Sequence, residues 1–293
     1  MHTAQPAILL DVPARSRYLT FVIDHPDELK NVLMSLTHLV DGNNVVMGIG
    51  ANIAKTLNKD VPGLHQFPAL SEASVPIPVT PGDLWFWLRG DDLGELLHRG
   101  RAIGVIAKPA FKLISAVDGF KYGSGLDLTG YVDGTENPAD ELAEQAALVS
   151  GVSNKMDGSS FVAVQQWQHD LNYFENQSCQ MQDHIIGRTK LTDEEIDDAP
   201  LTAHVKRVEQ DDFDPPAYVV RRSMPWIENQ QAGLMFVSFG HLFDAFEKQL
   251  RRMVGLDDAI TDALFTFSKP LTGNFYWCPP IGKDGIDLSQ LIS

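Results

Sequence analysis

The string Gly130-Tyr131-Val132-Asp133-Gly134-Thr135-Glu136-Asn137-Pro138 packs the most chemistry into the fewest residues. It places a carboxylate just before a glycine that lets the backbone turn, and Asn137-Pro138 reads as a capped helix start. Gly119, Gly123, Gly125, Gly130 and Gly134 crowd the same stretch. That density in a long connection points to backbone passing close to something, or to a functional loop. Other signatures are absent from the chain: there is no GxxxxGK[ST] loop for phosphate, no HExxH pair and no GxSxG elbow. The nine histidines show no short ligand spacing, which argues against a histidine-rich zinc site. The acidic stretch from Asp193 to Asp214 reads as a solvated surface excursion rather than a metal loop.

Composition narrows the partners. The 293 residues carry 23 basic and 39 acidic side chains, a net charge of −16 without a basic stripe. Nucleic acid and anionic membrane surfaces are therefore not expected partners. The longest apolar run, Leu84-Trp85-Phe86-Trp87-Leu88, is far shorter than the roughly 20 residues a membrane helix needs. The N-terminal residues lack a basic region followed by an apolar one, so no secretory signal is expected. Cys179 and Cys278 form neither a disulfide framework nor a CxxC pair, which together with the missing signal points to a cytoplasmic location. The apolar fraction of 44% is that of a folded protein, and the length suits two domains or one large one.

The elements that must position these residues repeat. Gly82–Gly90 and Ala232–Gly240 align at an offset of 150, Leu84 on Leu234 and Phe86 on Phe236, with Leu93 and Leu96 meeting Phe243 and Phe246 downstream. Earlier in each half, Tyr18–Ile23 and Phe161–Val164 align at an offset of 142, and Leu29 meets Leu171. Both pairs read as a strand followed by an amphipathic helix, with Asp27 as a cap for the first. Val45–Ile49 and Ile103–Ala107 supply further strands in the first half, and Val205–Val208 and Tyr218–Val220 in the second. A βαββαβ order in each half predicts an α+β duplicated ferredoxin-like fold, with two antiparallel sheets flanked by helices. The halves are placed at residues 1–125 and 126–293.

The string Gly130-Tyr131-Val132-Asp133-Gly134 resembles the GxxDG motif of dye-decolourising peroxidases, and Thr135-Glu136-Asn137-Pro138 resembles its continuation. Ile186-Gly187-Arg188-Thr189-Lys190 is similar to the family's IGR segment, and His204 lies 71 residues after Asp133, where the proximal haem ligand is expected. Arg221-Arg222-Ser223-Met224-Pro225 resembles the distal arginine segment, and Leu271-Thr272-Gly273-Asn274-Phe275-Tyr276 the C-terminal strand. The resemblance covers most of the chain and is closest to the bacterial B-type subgroup. It implies two ferredoxin-like halves with haem in the C-terminal one.

It also implies roles. His204 would ligate the iron of one haem b per chain. Thr266 stands near the position where relatives place a carboxylate behind that histidine, with Asp262 nearby. Asp133 would move a proton between the two oxygens of hydrogen peroxide, and Arg221 would keep it ionised and stabilise the departing oxygen. The product would be a ferryl haem, reduced in turn by dyes, phenolics or similar one-electron donors, with a surface Trp or Tyr as the relay for donors too bulky to enter. Arg188 would pair with a haem propionate. Gly134, Thr135 and Glu136 would border the cofactor with Asp133. Ser223 stands where relatives often carry Asn, and would hold a distal water. Of Phe236 and Phe239, the resemblance favours Phe239 as the apolar cover. A homo-oligomer, dimer or higher, is implied. Two other readings stay open: a haem-binding or haem-handling protein with little turnover, and a cofactor-free interaction scaffold.

Overall fold

A computed structural model of the chain describes residues 2–153 and 155–292. The first half runs β1 (Arg15–Ile23), α1 (Leu29–Leu36), β2 (Val45–Ile49), α2 (Ala51–Thr56), β3 (Leu84–Gly90), α3 (Leu93–Ala107) and β4 (Phe111–Phe120). The second half opens with α4 (Asp140–Ala147), β5 (Ser160–His169), α5 (Leu171–Glu175), α6 (Cys179–Ile186) and α7 (His204–Val208). It continues through β6 (Val220–Arg221), β7 (Met224–Glu228), β8 (Gln231–Gly240), α8 (Asp244–Met253), β9 (Ser268–Pro270) and β10 (Asn274–Cys278), and ends in a small hairpin, β11 (Ile281–Gly282) and β12 (Gly285–Ile286).

The strands of the first half pair antiparallel in the order β4-β1-β3-β2. Those of the second half pair in the order β7-β8-β5-β10, with β6 extending the β7 edge and β9 the β10 edge. Counted along each half, both orders are 4-1-3-2. The two sheets do not stay separate as the sequence suggested. Gly119 on β4 pairs with Trp226 on β7, and Trp277 on β10 pairs with Ile49 on β2. These two short seams close eight strands into one barrel-like sheet, which leaves fewer open edges than two independent sheets would.

Alternation along the strands divides the side chains between two cores. Tyr18, Trp85, Trp87, Val162, Phe239 and Tyr276 join one cluster that spans both halves. Leu19, Phe21, Phe86, Phe161, Phe275 and Trp277 face the other way, where Leu33 of α1, Ile103 of α3 and Leu250 of α8 cover them. The eight-strand frame is thus packed on both faces.

Four local expectations fail. Ile103–Ala107 is the last part of α3, not a strand: Leu96, Gly100, Ile103 and Ala107 are buried at helical spacing while Val105 is 74% exposed. The Asp92 side chain accepts from Glu95 N–H at 2.9 Å and starts this helix, a capping signal that outweighs a short β-branched run. Val205–Val208 is likewise helical, and the strand expected at Tyr218–Val220 is confined to Val220–Arg221. Asp27 lies in a 3-10 turn ahead of α1 and is not its cap.

Gly233 marks the tightest approach in the frame. A Cβ there would lie 1.9 Å from the Trp167 carbonyl oxygen on β5. Gly233→Ala is expected to destabilise the protein by about 1–3 kcal/mol or more, as overpacking does. Thermal melts would show a fall of roughly 2–4 °C per kcal/mol; an unchanged melting temperature would mean the β5–β8 register is not held there.

Candidate active site

The second half forms a cavity between β5, β8, α7, α8 and the glycine-rich loop. Trp167, Ile186, Leu234, Phe236, Leu250 and Phe267 supply much of its apolar wall. Asp133, His204, Arg221, Gln165, His169 and Ser268 bring polar groups to it. Residues 71 and 88 positions from Asp133, His204 and Arg221, are thereby gathered into one space.

His204 is the first residue of α7. Its Nδ1 lies 2.7 Å from Oδ2 of Asp262, whose side chain is fully buried. The other oxygen, Oδ1, accepts from Leu264 N–H at 2.8 Å and caps a short 3-10 turn. With Nδ1 committed, Nε2 is the nitrogen left for the cavity that His204 lines. Asp262, not Thr266, is therefore the carboxylate behind the histidine; the Thr266 hydroxyl donates to its own turn at Ala263 O, 2.7 Å away.

Asp133 and Arg221 both reach the cavity, and among the described residues neither side chain forms an ion pair within 4 Å. Burial pushes the Asp133 carboxyl above the usual carboxylate range, and nearby Asp127 adds to the rise. Arg221, His204 and the Gly134 N–H pull in the opposite direction. Gly134 has φ +94°, the left-handed region that favours glycine, and this turns its N–H back toward the carboxylate. Tyr131 anchors the same loop by donating its hydroxyl to Asp183 on α6 at 2.5 Å.

Asn137 does not begin a helix. Its Oδ1 accepts from Arg221 N–H at 2.7 Å and its Nδ2 donates to Arg221 O at 3.1 Å, so the loop that carries Asp133 also fixes the backbone of Arg221. α4 starts later, at Asp140, without a side-chain cap.

The other expected residues divide. Phe236 lines the cavity, whereas Phe239, three positions on, points to the other face of β8 and stacks near Trp87 with ring centroids 6.2 Å apart. Leu234, which the sequence reading passed over, lines the cavity beside Phe236, and strand alternation would have found it. Ser223 is buried and its Oγ accepts from Val237 N–H at 3.3 Å, so it serves the strand; it lies in a separate hollow behind Asp133 and Arg221. The Arg222 guanidinium donates to Leu9 O at 2.8 Å and to the Arg221 carbonyl oxygen at 3.0 Å, and it does not line the cavity.

Arg188 borders a smaller hollow next to the cavity, together with Glu136 and Glu209. Its guanidinium pairs with the Glu136 carboxylate and donates to Asp193 O at 2.5 Å. The Thr135 hydroxyl donates to Asp193 Oδ2 at 2.6 Å, so Thr135 and Glu136 are engaged with this rim rather than with the cavity interior. At the far end of the cavity, His169 joins Asp127 at 3.1 Å through Nε2 and Ser268 at 2.7 Å through Nδ1. Burial raises the Asp127 carboxyl, but His169 and Thr129 together outweigh it and leave it below the usual range. No sequence motif announced this group.

The architecture agrees with that of known proteins. A family model described as Dyp-type peroxidase, C-terminal, matches residues 125–283. The chain belongs to the Dyp-type peroxidase family. It is 34% identical over 224 residues to a dye-decolorizing peroxidase of Mycobacterium tuberculosis, covering 74% of this chain and 67% of that one. It is 30% identical to a dye-decolorizing peroxidase of Rhodococcus erythropolis, covering 89% of this chain and 82% of the relative. A variant of DypB from Rhodococcus jostii RHA1, solved in complex with heme, superposes with a TM-score of 0.85 at 29% identity, over 93% of this chain and 95% of that one. As a Dyp-type peroxidase the protein is an oxidoreductase acting on peroxide. Among the described residues no helix is long and apolar enough to cross a membrane.

The cavity of this Dyp-type peroxidase fits a flat, largely apolar iron cofactor. Its walls are mostly hydrocarbon, and the imidazole of His204 reaches it with its tautomer fixed by the buried Asp262 carboxylate. The raised Asp133 carboxyl gives a direct check. Since the group titrates higher folded than unfolded, its ionised form costs stability. That cost is absent below the ordinary aspartate value of about 3.9, grows as pH rises through the folded value, and is complete above it. Asp133→Asn is expected to raise the melting temperature of the cofactor-free protein at pH 7, with the gain vanishing in acid. An equal or lower melting temperature at neutral pH would show that Asp133 is not buried at a cost.

Proposed function

We propose that the cavity binds one haem b per chain and that the protein uses it to reduce hydrogen peroxide with electrons from dyes, phenolics or similar small aromatic donors. The observation that carries this reading is the meeting of three groups in one apolar cavity: a carboxylate-backed His204, Asp133, and an Arg221 that has no ion-pair partner among the described residues. Bound there, haem would supply the iron that activates peroxide and would store the oxidising equivalents passed on to the donor.

His204 would hold the iron through Nε2, made more basic by Asp262. Asp133 would take the proton from one peroxide oxygen and deliver it to the other, and must be ionised to begin. Arg221 favours that ionised state and would stabilise negative charge on the leaving oxygen as the O–O bond breaks. Asn137 holds the two together by joining their segments. Leu234 and Phe236 would exclude bulk water from this face and leave room for a molecule the size of peroxide. Both acid–base and cation roles are superfluous for a protein that merely carries haem, which favours turnover over storage.

Several finer points belong to the same reading. We take the fold as a duplicated ferredoxin-like unit divided near residue 125, with haem in the C-terminal half, on the strength of the 4-1-3-2 order found in each half. Likeness to DypB supports the B-type subgroup. The exposed Cys179 and buried Cys278 are both free thiols, which suits a cytoplasmic location. Homo-oligomerisation, which the family resemblance supports, is part of the same proposal and is checked by light scattering. Arg188 would meet a haem propionate only by sharing or releasing Glu136.

The test is stopped-flow mixing of haem-loaded protein with peroxide across pH. The acid limb of the cleavage rate is expected above the ordinary aspartate value, because Asp133 is raised. Arg221→Leu is expected to keep haem, slow cleavage by about 10²–10³-fold, and move that limb to higher pH. A wild-type rate with an unmoved limb would remove Arg221 from the chemistry.

A further inference from the structure

We propose that Arg207 and Asp258 are positioning residues that set the orientation of His204 toward its iron. This rests on the reading of His204 as the iron ligand. Arg207 sits one turn after His204 on α7 and is 4% exposed. Its guanidinium makes a two-pronged contact with Asp258, Nη1 to Oδ2 and Nη2 to Oδ1, both 2.7 Å, and Nη2 also donates to Arg252 O at 2.6 Å. Asp258 lies four residues before Asp262 on the loop that leaves α8. α7 is therefore joined to this loop by two parallel rungs: His204 to Asp262, and Arg207 to Asp258.

The second rung is built to carry direction. The paired contact drives the Asp258 carboxyl below the usual range, with Ile260 N–H adding a bond at 3.0 Å that ties the loop back to the same carboxylate. A guanidinium fork meeting a carboxylate fixes angle as well as distance, which a lysine does not. Elsewhere the loop is held by Ser74, whose Oγ reaches Val254 O at 3.0 Å and the Thr261 hydroxyl at 2.7 Å. That contact fixes the loop against the first half of the chain; near α7 a backbone bond from Ala263 N–H to Thr202 O, 2.7 Å, holds the chain just ahead of the helix but not the helix's rotation. Helix α7 has only five residues and no side-chain cap, so little within it resists rotation. Arg207 supplies that resistance. Loosening it would let the imidazole turn and lengthen the bond to Asp262, lowering the basicity of the ligand nitrogen.

The experiment uses haem-loaded protein and two readouts other than turnover: the Fe(III)/Fe(II) midpoint potential and the iron–histidine stretching frequency of the ferrous form. Arg207→Lys keeps the charge and loses the fork; Asp258→Asn removes the charge and one of the two acceptor oxygens at a partly exposed site. Asp262→Asn is the reference. Arg207→Lys and Asp258→Asn are expected to weaken the relative binding of ferric iron by threefold to tenfold, the upper figure equal to 59 mV, and to lower the stretching frequency. Both changes should run in the direction of Asp262→Asn and add nothing when combined with it. If Asp262→Asn moves both readouts while the two clamp variants lower only the melting temperature, the rung is a structural brace and the proposal fails. If Asp262→Asn also moves neither, the fault lies with His204 as the ligand.

Discussion

Asp262 is a carboxylate with no exposed side-chain surface, and its bond to His204 Nδ1 decides what the rest of the site can do. A buried carboxylate left without partners would be costly. Here Leu264 N–H and the imidazole satisfy it, one on each oxygen. The same bond fixes which ring nitrogen remains for the cavity. The local fold serves this contact: α8 ends at Met253, whose carbonyl accepts from Asp262 N–H at 2.8 Å, and Ala263 N–H reaches back to Thr202 O at 2.7 Å, two residues before the histidine. Imidazole and carboxylate are thus fixed by backbone as well as by their own side chains.

The opposite chemistry, acid and cation, depends on a different device. Asp133 sits on a loop rather than on the sheet, yet that loop is bonded to β6 through Asn137 and to α6 through Tyr131. Two charged groups without a direct ion pair are held in one cavity by restraints on their backbones, not by attraction to each other. This arrangement leaves space for a small substrate, and it accounts for the upward push on the Asp133 carboxyl: desolvation outweighs an arginine that is near but not in contact. The closed eight-strand sheet provides the stiffness behind both devices, because β5 and β8 supply cavity walls on one face and aromatic core on the other.

Much of this was legible in the sequence. The internal repeat at Leu84 and Leu234 anticipated two halves with the same strand order, and Asp133, His204 and Arg221 stood in recognisable segments. What escaped was what tertiary contact decides. Ile103–Ala107 has strand-like residues, but its burial follows the helical period set by the Asp92 cap. Phe236 and Phe239 differ by three positions, so strand geometry must separate them, and their identity as phenylalanines could not say which faces the cavity. Asn137 looked like a helix start because its partner, the Arg221 backbone, lies 84 residues away. Closure of the two sheets rests on single paired positions, Gly119 with Trp226 and Ile49 with Trp277, which leave no pattern in composition or periodicity.

The most direct measurement is the low-temperature EPR and magnetic circular dichroism of ferric, haem-loaded protein, compared with His204→Ala before and after added imidazole. The account predicts a histidine-ligated spectrum for the wild type, its loss in the variant, and its return when imidazole fills the space left by the side chain. Spectra of the variant that match the wild type without added imidazole would contradict it.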